Sequence, residues 1–192
     1  MTETDLQFGD YGAAVTVETG AGLSNADSYL SLAEATTRIA QRGGATAWAA
    51  KTDAERNDML RASAQFGIDA MFGPEWGGRR TKETQSLDWP RIGAYDRRRA
   101  YAILQNEVPD AVKWVQVEYL MALLAGVNPL RMTDPAEDGG KAFAVSSSDI
   151  LLGGFNESRI FGGSGAPVLP VITRLQLAAW PLLVDRDRVV LA

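Results

Sequence analysis

Two short segments constrain the fold of this chain more than any other part of its sequence. Residues 16–29 read TVETGAGLSNADSY, and residues 85–91 read QSLDWPR. Both are rich in glycine, asparagine, aspartate and proline, which hold an irregular backbone in one shape. Neither contains a nucleophile beside a base, a metal-ligand spacing or a phosphate-binding glycine loop. The two segments therefore predict a protein that works through its shape and surface.

Catalytic residue types are scarce, because histidine and cysteine are both absent from the 192 residues. The usual general base near neutral pH is missing, as are the common nitrogen and sulfur ligands of metals. Asp88 and Asp96 lie in one loop, where we expect them to balance neighbouring arginines. The serines at 146–148 lack a base, and the glycine-rich residues 162–165 lack the lysine of a phosphate loop. We expect no enzyme activity, no metal and no cofactor.

Helix signals predict a mainly α fold, a small four-helix bundle with a minor β-hairpin and an extended C-terminal arm. Ser31 and Thr52 are each followed three residues later by glutamate, which is the capping-box pattern of a helix start. Pro109 suits the first position of a third helix, and Pro170 suits that of a fourth. The predicted helices span approximately residues 32–42, 53–72, 109–125 and 170–182.

The chain is predicted to form one main domain with smaller parts on either side. Its length suits a single core, composition changes after Asn128, and residues 162–165 have the composition of a hinge. The predicted parts are a flexible N terminus (1–13), a helical core domain (14–128), a hairpin and hinge insertion (129–165), and a C-terminal helix with a docking arm (166–192).

The long connection at residues 73–107 carries most of the candidate binding residues. Its aromatic residues Trp76, Trp89 and Tyr95 are predicted to anchor it to the helices. Within it, residues 79–99 hold seven basic and three acidic side chains, in a chain whose net charge is −5. We predict that this basic loop faces DNA or an acidic partner, although pairing with nearby carboxylates is the alternative. Its predicted contact residues are Arg79, Arg80, Arg91, Arg97, Arg98 and Arg99.

Arginines interleaved with aromatic residues also match the requirements of single-strand binding, in which bases stack on exposed rings. The rings concerned are Trp76, Trp89, Tyr95 and Tyr101. In the competing interpretation these rings are core anchors of the loop. The isoelectric point near 4.8 favours that second interpretation.

Two apolar regions are predicted to make contacts with other proteins. The last two turns of the third helix are apolar nearly all round, so this helix is either central in its own domain or packed between subunits. Leu120, Met121 and Leu124 are the predicted subunit-interface residues. The apolar C-terminal segment is predicted to dock elsewhere. Its predicted docking residues are Leu175, Trp180, Leu182, Val189, Val190 and Leu191.

The two segments, together with residues 107–113 (EVPDAVK), resemble the phage family of DnaT-like single-strand DNA-binding proteins. The resemblance covers about residues 15–126 and, more weakly, the terminal helix up to Leu183, beyond which this chain has a longer tail. The family label implies binding to DNA. The arrangement also resembles head–tail connector (adaptor) proteins of tailed phages, which are helical bundles that form a ring, commonly of twelve copies, under the portal.

From the sequence we prefer the connector, with single-stranded DNA binding in phage replication as the alternative. A compact helical domain, an over-apolar helix and a glycine hinge suit ring assembly, and acidic charge suits a conduit through which DNA slides. The expected partners are other copies in a ring of twelve, the portal protein, the next tail component and, in passing, double-stranded phage DNA, with no membrane. The expected location is the head–tail junction of the virion, assembled in the host cytoplasm.

Overall fold

The computed structural model describes residues 12–127, 129 and 171–183. This part of the chain is mainly helical, as predicted, with two small antiparallel hairpins. A four-helix bundle is not what it shows, because six α-helical segments are present. They are α1 (Leu32–Gln41), α2 (Ala45–Ala49), α3 (Asp53–Ser63), α4 (Ala70–Phe72), α5 (Asp110–Leu124) and α6 (Val171–Ala179). No helix in the described ranges is long and apolar enough to cross a membrane.

Side-chain caps fix the starts of α1 and α3 where the sequence predicts them. The Ser31 hydroxyl accepts a hydrogen bond from the Glu34 amide at 3.1 Å. Thr52 and Glu55 form a complete capping box, in which each side chain accepts from the backbone amide of the other residue. These bonds satisfy amides that would otherwise lack partners in the first turn of a helix.

The helix that begins with α3 changes its hydrogen-bonding pattern before it ends. Ala64–Asp69 is π-helical, α4 follows, and Gly73–Glu75 forms a 3₁₀ turn. A π-helical turn within an α-helix is uncommon and often occurs at functional sites. Here it places Asp69 beside the second of the two signature segments.

Helix α5 lies between two buried apolar clusters. Val112, Val115 and Tyr119 belong to the first cluster, which also contains the side chains of the long connection. Val117 and Leu120 belong to the second cluster, which contains residues of α1, α2 and α3. The helix is apolar nearly all round because it is central in its own domain.

The predicted subunit interface is therefore wrong for Leu120, which is 0% exposed. Met121 and Leu124 are partly buried and pack against the same second cluster. Their side chains are in contact with this chain's own core, since α1 and α3 pack against α5. A role for Met121 and Leu124 between copies stays a prediction.

The C-terminal helix α6 packs along α5 and continues into a 3₁₀ turn at Trp180–Leu182. Leu175 and Leu182 are fully buried in the first cluster, so the prediction that they form a docking arm is wrong. Leu175 on α6 and Leu182 in the following 3₁₀ turn pack into the cluster that contains Val112 and Val115 of α5. Trp180 is 54% exposed. Val189, Val190 and Leu191 lie outside the described residues, as do both strands of the hairpin predicted at 129–165.

The long connection contains four short strands. Strand β1 (Arg79–Arg80) pairs with β2 (Arg91–Ile92), and β3 (Tyr95–Asp96) pairs with β4 (Tyr101–Ala102). In the second pair, Tyr95 lies opposite Ala102, and Asp96 lies opposite Tyr101. The connection is held to the helices by Trp76 and Trp89, which are 1% and 0% exposed.

Candidate nucleic-acid interface

The two signature segments lie against each other. The Ser86 amide donates to the Leu23 carbonyl at 3.0 Å, and its hydroxyl donates to the Ala26 carbonyl. Lys82, just before the second segment, donates from Nζ to the Ala21 carbonyl at 2.6 Å. We call this contact between residues 16–29 and 82–91 the junction. It ties the start of the domain to the long connection.

A buried carboxylate shapes the first segment. Glu18 is 1% exposed, and its side chain accepts hydrogen bonds from the amides of Gly20, Gly22 and Leu23 at 2.7 to 3.0 Å. Gly20 has φ +103°, and a Cβ at this position would collide with the Asn106 carbonyl oxygen. The glycines of this segment therefore allow the chain to pack closely around the Glu18 carboxylate.

Tyr29 connects the junction to the π-helical turn. Its hydroxyl donates to the Asp69 carboxylate at 2.8 Å and accepts a hydrogen bond from the Trp89 amide at 3.1 Å. The Asp88 amide also donates to Asp69, at 3.0 Å. The pKa of Asp69 is raised to about 7, mainly by burial, with the hydrogen bond from the Asp88 amide opposing the shift and the Asp88 carboxylate adding to it. The Tyr29 hydrogen bond and Arg80 also oppose the shift. Burial likewise raises the pKa of Tyr29.

Gln116 of α5 joins the same region to α3. Its Oε1 accepts from the Tyr29 amide at 3.1 Å. Its Nε2 donates to Ser28 Oγ, to the Leu60 carbonyl and to Ser63 Oγ at 2.9 to 3.0 Å. The side chain is 0% exposed. Nothing in the sequence indicated this role of Gln116, since one glutamine in an apolar helix carries no distinctive pattern.

Arg91 is a core residue, so its predicted role facing DNA or a partner is wrong. It is 7% exposed, and its guanidinium donates to the carbonyls of Trp76, Gly77 and Gly78 at 2.8 to 3.3 Å. Burial lowers the pKa of Arg91, and Asp88 opposes that shift. The Arg91 side chain fixes the turn after Trp76, because three consecutive backbone carbonyls accept hydrogen bonds from its planar guanidinium group.

The β3–β4 hairpin has a well-defined tip made of residues 97–100. The Asp96 side chain is buried and accepts a hydrogen bond from the Arg99 amide at 3.0 Å. Ala100 has φ 57°, which lets the chain turn back into β4. The Arg97 amide donates to the Pro181 carbonyl at 2.9 Å. The tip is therefore fixed at its base and against the turn that follows α6.

The side chains of this hairpin point largely to solvent. Tyr95 is 48% exposed and Tyr101 is 39% exposed, while Arg98 and Arg99 are both exposed. Tyr95 is therefore not an anchor of the loop, since it lies on the outer side of a two-residue strand. A hydrogen bond with the Tyr101 hydroxyl raises the pKa of Arg99. We call residues 95–102 the basic hairpin.

Arg79, Arg80 and Lys82 lie elsewhere, at an open cleft between β1 and the end of α4. The cleft has a volume of about 860 Å³, and Asp69 and Asp88 also line it. Arg80 Nε is 3.9 Å from Asp88 Oδ1, which is a weak ion pair. The six predicted arginines are thus divided among the cleft, the core and the basic hairpin.

The basic hairpin has the chemistry of a single-strand contact surface. Aromatic rings supply faces on which bases stack, and arginines pair with the phosphates between them. The predicted loop anchors Trp76 and Trp89 are buried and offer no such face, whereas Tyr95 and Tyr101 do. Trp180, predicted from the sequence to belong to a docking arm, adds a third exposed ring next to the hairpin.

Comparison with known proteins agrees with this chemistry. The sequence profile of the family described as putative DnaT-like ssDNA binding protein matches residues 13–140, about two thirds of the chain. The chain belongs to this family. No curated protein and no solved structure matches it.

The preferred interpretation from the sequence, a head–tail connector, is wrong. The matched family is described by single-stranded DNA binding, which was the alternative, and no comparison supports a connector, a portal or tail partner, or a ring of twelve. The features that favoured the connector have a different cause, since the over-apolar helix and the C-terminal segment pack on each other. The expected virion location stays a prediction.

Proposed function

We propose that this protein binds single-stranded DNA and that the basic hairpin is its main contact surface. The observation that carries the proposal is the exposure of Tyr95 and Tyr101 beside Arg98 and Arg99, on one hairpin of a chain that belongs to a family described as single-strand-binding. Bases stack on the rings, and the guanidinium groups neutralise the adjoining phosphates.

The exposed rings favour single strands over duplex. A base in a duplex is stacked on both faces, so an aromatic side chain reaches it only in unpaired DNA. Within the described ranges, the clustered basic side chains lie on short hairpins instead of along a helix that could enter a major groove. The net charge of −5 gives little general attraction to phosphate, so binding depends on this local surface.

Trp180 extends the proposed surface beyond the hairpin. The hydrogen bond from the Arg97 amide to the Pro181 carbonyl fixes the 3₁₀ turn next to the arginine tip. With its ring 54% exposed, Trp180 is placed to stack a further base of the same strand. Binding requires no catalysis, which suits a chain with neither histidine nor cysteine.

Fluorescence anisotropy on labelled oligonucleotides tests the proposal. A single strand of about 15 nucleotides, near the upper end of what one small domain covers, is compared with the matching duplex. We expect tighter binding to the single strand, with log Kd rising steeply with log salt concentration. The double variant Arg98→Ala, Arg99→Ala should lower that slope by about 1.4, because each lost phosphate contact removes about 0.7.

A matched control removes two cations from another surface. Arg42 and Lys51 are also exposed basic residues, and each is paired with a glutamate near α1 and α2. Arg42→Ala with Lys51→Ala changes the net charge equally but should leave the salt slope unchanged. The proposal fails if the wild-type chain binds no single strand, or if both double variants weaken binding equally.

A further inference from the structure

The cleft beside β1 combines two kinds of group that a nucleotide requires. Arg79, Arg80 and Lys82 supply positive charge along its edge, and Asp88 supplies a carboxylate deeper inside. Its volume of about 860 Å³ lies within the range of small-molecule sites. The basic hairpin does not include this cleft, so the proposed function leaves its cations unused.

The Asp88 carboxylate is available to a ligand. Neither of its oxygens accepts a hydrogen bond within the described ranges, and its nearest cations are Arg91 at 3.8 Å and Arg80 at 3.9 Å. Both distances exceed those of a direct charge-assisted hydrogen bond. By contrast, the Asp69 oxygens are already occupied by Tyr29 and by the Asp88 amide. Asp88 is thus the carboxylate on the floor of the cleft that retains acceptor capacity.

The exposure of these side chains sets the direction in which a nucleotide would enter. The Arg80 side chain is 39% exposed, whereas the Asp88 side chain is 20% exposed. A phosphate therefore meets the arginines at the mouth, while the base reaches the carboxylate inside. A carboxylate accepts hydrogen bonds and repels carbonyl oxygens, so it favours bases that carry an exocyclic amino group.

We infer that the cleft receives one unpaired nucleotide of the bound strand, with its phosphate on Arg79 and Arg80 and the exocyclic amino group of cytosine, adenine or guanine donating to Asp88. The inference rests on the proposed function and adds a base preference to it. Cytosine and uracil provide the sharpest comparison, because cytosine has an exocyclic amino group where uracil has a carbonyl oxygen. Uracil does carry an N3–H donor, but a carbonyl oxygen lies on each side of it, and a carboxylate repels both.

The test measures the affinities of oligodeoxycytidine and oligodeoxyuridine of equal length, above neutral pH so that cytosine is unprotonated. We expect the wild-type chain to bind the cytosine strand about tenfold more tightly. Asp88→Asn should bring the ratio close to one. Glu83→Gln is the matched control, because Glu83 lines the same cleft and its substitution changes the charge equally. That variant should keep the preference.

A second variant tests the same carboxylate without changing any charge. A Cβ at Gly73 would clash with Asp88 Oδ2. Gly73 has ordinary helical dihedral angles, so alanine suits its backbone. Gly73→Ala should therefore displace the carboxylate and also reduce the preference for cytosine. Thermal melts identify any variant that fails to fold.

The outcomes separate this inference from the proposed function. If the wild-type chain binds both strands equally, the nucleotide cleft is refuted while single-strand binding stands. A preference for cytosine that persists in Asp88→Asn and in Gly73→Ala also refutes it, since the discrimination then arises elsewhere. If neither strand is bound, the proposed function fails and the inference fails with it.

Discussion

The junction and the basic hairpin both include parts of the long connection, but their polar side chains differ in exposure. Tyr29 of the junction and Gln116 of α5, which contacts it, are both 0% exposed, and their polar groups form hydrogen bonds within the chain. On the basic hairpin, Tyr95 and Arg98 point to solvent. Tyr29 is thus a buried residue that forms hydrogen bonds within the chain, whereas Tyr95 presents its ring to solvent.

This difference separates the residues that define the sequence pattern from those that can bind a strand. The signature segments hold the long connection in place, since their amides and carbonyls are paired within the chain. The hairpin is carried by that framework and contributes little to it. We therefore expect substitutions in the junction to change the free energy of unfolding, and substitutions on the hairpin to change affinity for DNA.

The largest effect is expected at Trp89. Its ring is fully buried and contacts Trp76 edge to face, with centroids 5.9 Å apart. Trp89→Ala should lower the free energy of unfolding by about 4 kcal/mol, because a large cavity replaces the ring. Urea denaturation measures the loss. Trp180→Ala removes the same side chain from an exposed position and should cost less than about 1 kcal/mol. Equal losses of stability in the two variants would contradict the contrast between a buried ring at Trp89 and an exposed ring at Trp180.

Gln116 gives the next largest effect. Gln116→Leu keeps the approximate volume but leaves the Tyr29 amide without its acceptor and removes the two N–H donors that Ser28, Leu60 and Ser63 share. We expect a loss of about 3 kcal/mol, since unsatisfied buried groups are costly. Gln41→Leu, on the exposed side of α1, is the control and should lie within about 0.5 kcal/mol of the wild type. A small loss at Gln116 would show that water replaces its contacts.

The helices were predictable from local chemistry, but the relation between them was not. Ser31 and Thr52 mark the helix starts, because capping depends on a few neighbouring residues. The position of α5 between two clusters depends on contacts with distant segments, among them α6. The same apolar pattern suits a central helix and a subunit interface, and so the prediction for Leu120 was wrong.

The site was predictable in composition and not in arrangement. Seven basic residues between 79 and 99 indicate a binding region, yet burial separates Arg91 from Arg98. The two-residue strands are too short to give an alternating pattern. The sequence could not show which rings are exposed, because Trp89 and Tyr95 occupy the same loop and differ only in their packing.

A smaller effect, and one that depends on pH, is expected at Asp69. Its pKa is about 7 in the folded chain against 3.8 for an unperturbed aspartate, so between these values the folded state binds more protons. The resulting stabilisation is complete below about pH 4 and is lost as the pH rises through 7. Tyr29, Asp88 and Arg80 face this carboxylate, and because it borders an open cleft we expect about 2 kcal/mol, less than the pKa difference alone implies.

Urea denaturation between about pH 4 and pH 8 measures this effect as a difference between the wild type and Asp69→Asn. Asparagine keeps an acceptor for the Asp88 amide and cannot ionise. The variant should gain stability relative to the wild type as the pH rises. Asp53→Asn, which replaces a largely exposed carboxylate, should show no such trend. If the difference in free energy of unfolding between Asp69→Asn and the wild type does not change with pH, proton binding by Asp69 does not contribute to stability.

The smallest expected change in free energy, at Tyr95, tests the other side of the contrast. Tyr95→Ala should weaken binding to a single strand by about 1 kcal/mol, roughly fivefold, because a stacked base loses its ring. Tyr95→Phe keeps the aromatic face and should restore affinity. Stability should stay within about 0.5 kcal/mol in both variants, since the side chain is 48% exposed. If alanine instead destabilises the fold and leaves affinity unchanged, Tyr95 belongs with the junction residues, and the hairpin loses its assigned role.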